Sequence, residues 1–139
     1  MEGYSFEKIA KNYGKKQVLW GVSGKFPPGS TVGLLGLNGA GKTTLLNILG
    51  NCDRDFSGSI SLRGNAVAYM RSRQPFPEFW QVREVFAFYR RFYKFDIFLA
   101  EQLLGEANIS PRSRLSALSD CMRRMVTCIC CYCTYAQVY

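Results

Sequence analysis

Nine residues, Gly36-Leu37-Asn38-Gly39-Ala40-Gly41-Lys42-Thr43-Thr44, have the types and spacing for phosphate chemistry. They fit the pattern G-x-x-x-x-G-K-[ST], with Gly36, Gly41, Lys42 and Thr43 at the fixed positions. Small residues such as Gly39, Ala40 and Gly41 let successive backbone N–H groups converge on an anion with no side chain in the way. Lys42 adds a cation that reaches the terminal phosphates of a nucleotide, and the Thr43 hydroxyl is a ligand for Mg²⁺. A helix beginning near Lys42 points the positive end of its dipole at the same anion.

The context that confirms such a loop is a strand before it and a helix after it. Residues 30–35 form a short apolar run that reads as a buried strand. Residues 44–49 read as an apolar helix closed by Gly50. Upstream, residues 4–13 and 17–26 read as two strands joined by the turn Tyr13-Gly14-Lys15-Lys16, and Pro27-Pro28-Gly29 breaks the chain before the loop. Downstream, residues 57–64 and 66–70 read as short strands and residues 74–77 as a loop. Residues 82–93 read as an amphipathic helix. Arg83, Glu84, Arg90 and Arg91 lie on one face, and Val82, Val85, Phe86, Tyr89, Phe92 and Tyr93 on the other. Asp96 is a good N-cap for a helix that turns Ala100, Leu103, Leu104 and Ala107 inward. Pro111 marks a break, after which Ser119 or Asp120 caps a cysteine-containing helix.

The chain has 139 residues with 47% hydrophobic and 20% charged content, the balance of a globular chain with a core. No apolar run reaches the roughly 20 residues a membrane helix needs. The N-terminus lacks the basic and apolar regions of a signal peptide, so a cytoplasmic location is the default expectation. Net charge is +8, but the basic residues are scattered in small groups, and no nucleic-acid partner is expected. The chain has no histidine, which excludes histidine bases and histidine-ligated metals. Of six cysteines, Cys121, Cys128, Cys130, Cys131 and Cys133 fall in one segment. An irregular backbone there would give a soft-metal site. On a helix the same thiols point apart and serve as small hydrophobes, and the helix is the reading adopted.

The whole pattern resembles the nucleotide-binding subunit of an ATP-binding cassette (ABC) transporter. The wording Asn-Gly-Ala-Gly-Lys-Thr-Thr at 38–44 is the one this family favours in its Walker A loop. Tyr13 before Gly-Lys-Lys-Gln-Val-Leu, with Pro-Pro-Gly ahead of the loop, resembles the family's opening. The resemblance implies that Tyr13 stacks on adenine, although a turn aromatic covering a strand end looks the same in sequence. Leu118, Ser119, Arg123 and Arg124 match the stretch around the signature Leu-Ser-Gly-Gly-Gln, while Asp120 and Cys121 stand where the family has glycines. In the family that serine meets the nucleotide held by a second ATP-binding subunit in a head-to-tail dimer. The Gln of the family's Q-loop has no assigned equivalent: Ser72 falls at its position and Gln74 two residues away.

By the same resemblance, 136–139 looks like the start of the strand that carries the Walker B carboxylates, so a truncated subunit is expected. The implied fold is α/β of the P-loop type, with an N-terminal antiparallel β portion, an inserted helical portion and an incomplete core sheet. Residues 1–79 would form the β portion and phosphate-loop core, and 80–135 the helical portion. The implied cofactors are ATP and Mg²⁺. Gly36, Asn38, Gly39, Ala40, Gly41, Lys42, Thr43 and Thr44 would hold the phosphates, with Lys42 also catalytic and Thr43 on the metal. The implied partner is a membrane-spanning transporter subunit that holds the chain at the inner face of the membrane. Two other readings stay open: a nucleotide-binding fragment or pseudo-subunit without turnover, and another P-loop NTPase.

Overall fold

The computed structural model describes residues 4–61, 67–71 and 76–136. The chain divides into two compact units, Met1–Asn65 and Ala66–Tyr139. In the first, the expected hairpin forms from β1 (Tyr4–Tyr13) and β2 (Lys16–Phe26). Strand β3 (Ser57–Ser61) pairs antiparallel with the other edge of β1, giving the order β2-β1-β3. Helix α1 (Lys42–Leu49) buries Leu45, Ile48 and Leu49 and ends at Gly50, as its apolar spacing requires. Its last turn is tied to β1 by the Tyr4 hydroxyl, which donates to the Leu49 carbonyl at 2.8 Å.

Along β1 the inward residues are Tyr4 and Phe6, then Ile9 and Lys11, so the two-residue period slips once. A β-bulge causes the slip: Phe6 pairs with Gly24 and Ile9 with Val22, three steps on β1 against two on β2. Lys8, inside the bulge, has φ 50 and donates its N–H to the Ser23 hydroxyl at 2.8 Å. The backbone of β3 passes close beside it. A Cβ at Gly58, where φ is +107, would lie 2.5 Å from the Glu7 carbonyl oxygen and 2.6 Å from that of Lys8. Only glycine fits there.

Residues 30–35 depart from the expected buried strand. They belong to no strand, and Val32 and Leu35 are 53% and 93% exposed. A strand needs neighbours for its backbone groups and a layer over its side chains. Among the described residues the sheet consists of β1, β2 and β3, and none pairs with this segment. Residues 67–70 also form no strand, and β3 is described over Ser57–Ser61. Residues 62–66 and 72–75, which include Ser72 and Gln74, lie outside the described residues.

The second unit is helical: α2 (Val82–Phe92), α3 (Ile97–Glu106), a 3-10 turn (Leu115–Ala117) and α4 (Asp120–Tyr132). One core joins Val82, Val85 and Phe86 of α2 to Leu104 of α3 and to Val126 and Cys130 of α4. Asp96 caps α3 by accepting the Leu99 N–H at 3.0 Å. Of the two candidates for α4, the cap is Ser119, whose hydroxyl accepts the Met122 N–H at 3.2 Å. Phe92 and Tyr93 depart from the expected inward face, being 66% and 55% exposed. The chain leaves the helix in an extended conformation at Tyr93, and Val82, Val85 and Phe86 already fill the contact with the other helices. Among the described residues no helix is long and apolar enough to cross a membrane.

Candidate functional site

The glycine-rich segment is an exposed loop that closes on itself. The Ala40 N–H donates to the Leu37 carbonyl at 3.2 Å. Lys42 Nζ donates to the carbonyls of Gly36 and Leu37, both at 2.7 Å. An ammonium carries three donors, so one remains for an anion while the other two hold the loop. Gly41 takes the left-handed conformation, φ 90 and ψ 7, and starts α1 with no side-chain cap. The first-turn amides of a helix have no partner within it, so those of α1 face outward with the positive end of the dipole. No acidic residue stands in that first turn.

The junction is seated on β2: a Cβ at Gly41 would come within 2.8 Å of Leu19 Cδ2 and 3.1 Å of the Val18 carbonyl oxygen. At Gly39 the space is open. Asn38 and Thr43 are exposed and Thr44 is half-buried. Amides, an ammonium and hydroxyls with no carboxylate among them are a donor set that fits the polyphosphate of a nucleotide. The exposed Thr43 hydroxyl beside them fits a hard cation carried with it.

Tyr13 stands at the end of β1, 51% exposed, and its hydroxyl donates to Asp53 Oδ2 at 3.3 Å. Behind it lies a cluster that sequence reasoning missed. Lys11 is buried, and its Nζ donates to Asp53 Oδ1 at 2.9 Å, to Asp55 Oδ2 at 3.1 Å and to the Asp55 carbonyl. The same ammonium lies 5.0 Å from the centre of the Tyr13 ring. Burial works to lower the Lys11 pKa, but the bonds to Asp53 and Asp55 outweigh it and hold it above the ordinary lysine value. The hydrogen bond from Lys11 in turn holds the Asp53 carboxyl below the usual carboxylate range. A signal existed in the sequence: the apolar pattern of β1 runs Tyr4, Phe6, Ile9, and that change of phase turns Lys11 inward.

Ser119 lies in the other unit. It is exposed, and its hydroxyl is engaged as the cap of α4. Arg123 bonds Asp120 at 2.5 Å and lies 3.6 Å from Glu78, so these three charges offset one another. Cys121 is exposed in the first turn of α4. Further along, Cys128 is exposed and 3.4 Å from the Met70 sulfur, whereas Cys130, Cys131 and Cys133 are buried. Burial pushes the Cys133 thiol up to about 11 and Cys130 still further. Among the described residues no three His, Cys, Asp or Glu side chains are placed to hold a metal ion.

Residues 19–139 match the family model described as ABC transporter. The lipoprotein-releasing system ATP-binding protein LolD of Porphyromonas gingivalis is 36% identical over 117 residues, covering 83% of this chain and 52% of that protein. The ribose import ATP-binding protein RbsA of Bacillus subtilis is 44% identical over 66 residues, 48% of this chain and 13% of that one. The chain thus spans about half the length of one relative and far less of the other. Among solved structures, an ATP binding subunit of an ABC transporter superposes with a TM-score of 0.80 at 23% identity, covering 92% of this chain and 60% of that one. A metal-chelate type ABC transporter in an inward-facing conformation gives 0.74 at 20% identity over 96% of this chain. The fold is therefore the α/β fold of these ATP-binding domains, with an N-terminal antiparallel portion, a helical portion and an incomplete core sheet. On the match over 19–139 and the shared fold, the chain belongs to the ABC transporter family.

Proposed function

We propose that this chain binds MgATP as part of the ATP-binding subunit of an ABC transporter. In the whole protein the bound ATP is hydrolysed, and hydrolysis is coupled to transport through a membrane-spanning partner. The observation that carries the reading is the start of α1: an uncapped helix N-terminus, with Lys42 looped back onto the carbonyls of Gly36 and Leu37 and one donor left. The loop from Gly36 through Asn38, Gly39, Ala40, Gly41 and Thr44 would wrap the phosphates. Lys42 would balance their charge, Thr43 would ligate Mg²⁺, and Tyr13 would offer its exposed ring to the base. When bound, Mg²⁺ supplies charge neutralisation at the β- and γ-oxygens.

The helical portion, 80–135, would face the partners, and 1–79 the nucleotide. Support for a docking face comes from α2 and the segment before it, where Trp80, Phe76, Phe88 and Phe92 form a continuous series of ring contacts ending at the 66% exposed Phe92. A second ATP-binding subunit, packed head to tail, would meet its nucleotide at the Ser119 end of α4. The complex would then sit on the cytoplasmic face of the membrane. One observation favours the alternative of a subunit that binds without turning over: Cys121 brings a side chain where the family's signature has glycine.

The test is ATP affinity by titration calorimetry. Lys42→Ala should weaken binding about ten- to a hundredfold, the effect of losing a charge-assisted phosphate contact of about 1.5–3 kcal/mol. Equal affinities in parent and variant would remove the reading.

A further inference from the structure

We propose that Lys11 is a positioning residue for nucleotide binding: with Asp53 and Asp55 it fixes the Tyr13 ring and joins it to the phosphate-loop helix. The proposal rests on the reading of Tyr13 as the platform for the base. Three restraints converge on that ring. It closes the end of β1, where Tyr13 pairs with Lys16. Its hydroxyl is held by Asp53, and the Lys11 ammonium lies 5.0 Å from its centre. Roughly half the residue remains exposed, so a surface stays free for a ligand.

The second half of the link runs through the backbone. Asp53 donates its N–H to the Asn47 carbonyl at 3.2 Å, and Cys52 donates to the same carbonyl at 2.8 Å. Asn47 belongs to α1, whose other end begins at Gly41 and Lys42. From ring to carboxylate to helix, every step is a hydrogen bond within one compact unit.

Stability alone is a poor reason for this arrangement. A buried ion pair adds little over an apolar residue of similar size, and Lys11 occupies an inward position on a strand where an apolar side chain would fit the pattern. Its charge sits where it polarises an aromatic face and limits the ring's motion. Holding a platform in its binding conformation lowers the ordering cost of stacking.

The experiment compares two ligands, ATP and inorganic tripolyphosphate, titrated against the full chain and the variants Lys11→Met, Lys11→Arg, Tyr13→Ala and Lys11→Met/Tyr13→Ala. Lys11→Met should weaken ATP about three- to fivefold, the range expected of one cation–π contact, and leave tripolyphosphate unchanged. Lys11→Arg should recover most of the loss. In the Tyr13→Ala background Lys11→Met should add nothing, because the ring it acts through is gone. Should Lys11→Met fail to fold, Tyr13→Phe keeps the ring and removes only the bond to Asp53. It should show a smaller loss confined to ATP. Equal losses for both ligands, an unchanged ATP affinity in Lys11→Met, or additive losses in the double variant would overturn the role of Lys11 alone. Unchanged ATP affinity in Tyr13→Ala would overturn the Tyr13 reading and this role together. So would failure of the parent chain to bind either ligand.

Discussion

Replacing Gly41 by alanine tests whether the phosphate loop is held against the sheet. The left-handed conformation at this residue costs a non-glycine residue about 1–2 kcal/mol. The new Cβ would also stand 2.8 Å from Leu19 Cδ2 and 3.1 Å from the Val18 carbonyl oxygen. Leu19 is only 4% exposed and has little room to turn, so relief needs an off-rotamer side chain at about 0.5–1.5 kcal/mol. The Val18 oxygen is backbone and gives less. Together these amount to about 1.5–3.5 kcal/mol, a large part of the roughly 5–15 kcal/mol that stabilises a domain.

Gly39→Ala supplies the control. Its φ is +84 but nothing lies within 4 Å of the added carbon, so only the conformational cost of about 1–2 kcal/mol applies. The assay is urea unfolding followed by far-ultraviolet circular dichroism, with all three chains analysed at a common slope. Gly41→Ala should be less stable than Gly39→Ala by about 1 kcal/mol, the contact term. If the two variants unfold together, the start of α1 does not press on β2 and the argument for a preset loop fails.

Two further outcomes follow from titrating groups. Cys52, Cys121 and Cys128 are exposed, while Cys130, Cys131 and Cys133 are buried with raised pKa values, so a disulfide reagent at pH 8 should modify three thiols quickly and three slowly. Six thiols reacting in one phase would contradict the packing of α4. At acid pH, Asp53 and Asp96 are both held below the ordinary carboxylate value, Asp53 by Lys11 and Asp96 by the Leu99 N–H. Each binds fewer protons folded than unfolded, so its stabilisation is present above about pH 3.9 and fades as pH falls toward the depressed folded value. Asp53→Asn should flatten that acid limb in the unfolding midpoint, and an unaltered limb would deny Asp53 its part in it.

The legible features were those set by local chemistry. The glycine–lysine–threonine spacing located the loop, α1 follows from the apolar period of residues 44–49, and Asp96 and Ser119 announce their helices as caps. What failed depended on distant partners. Residues 30–35 have the composition of a central strand, but composition does not provide the neighbours a strand bonds to, and the described sheet gives them none. Phe92 and Tyr93 have the period of an inward face, yet the width of a core is set by the helices opposite. Lys11 was missed for a related reason. The change of phase at Ile9 was present in the apolar pattern, but the acids that make burial of an ammonium tolerable lie about 40 positions away.

The bulge at Lys8 makes the side of the sheet on which Tyr13 stands a matter of parity. Counting inward by twos from Tyr4 and Phe6 without it, Lys11 and Tyr13 would fall among the odd positions, with Ser5 and Glu7, on the opposite face from α1 and Asp53. The extra residue converts odd to even for everything after it. Losing one residue between Phe6 and Ile9 would remove the bulge, and the plain pleat would keep the aromatic ring and the ammonium on the face of Tyr4 and Phe6. Losing two would carry them to the wrong face. In this stretch of β1, length changes of one and of two are therefore different kinds of mutation, although neither need remove a chemical group that touches a ligand.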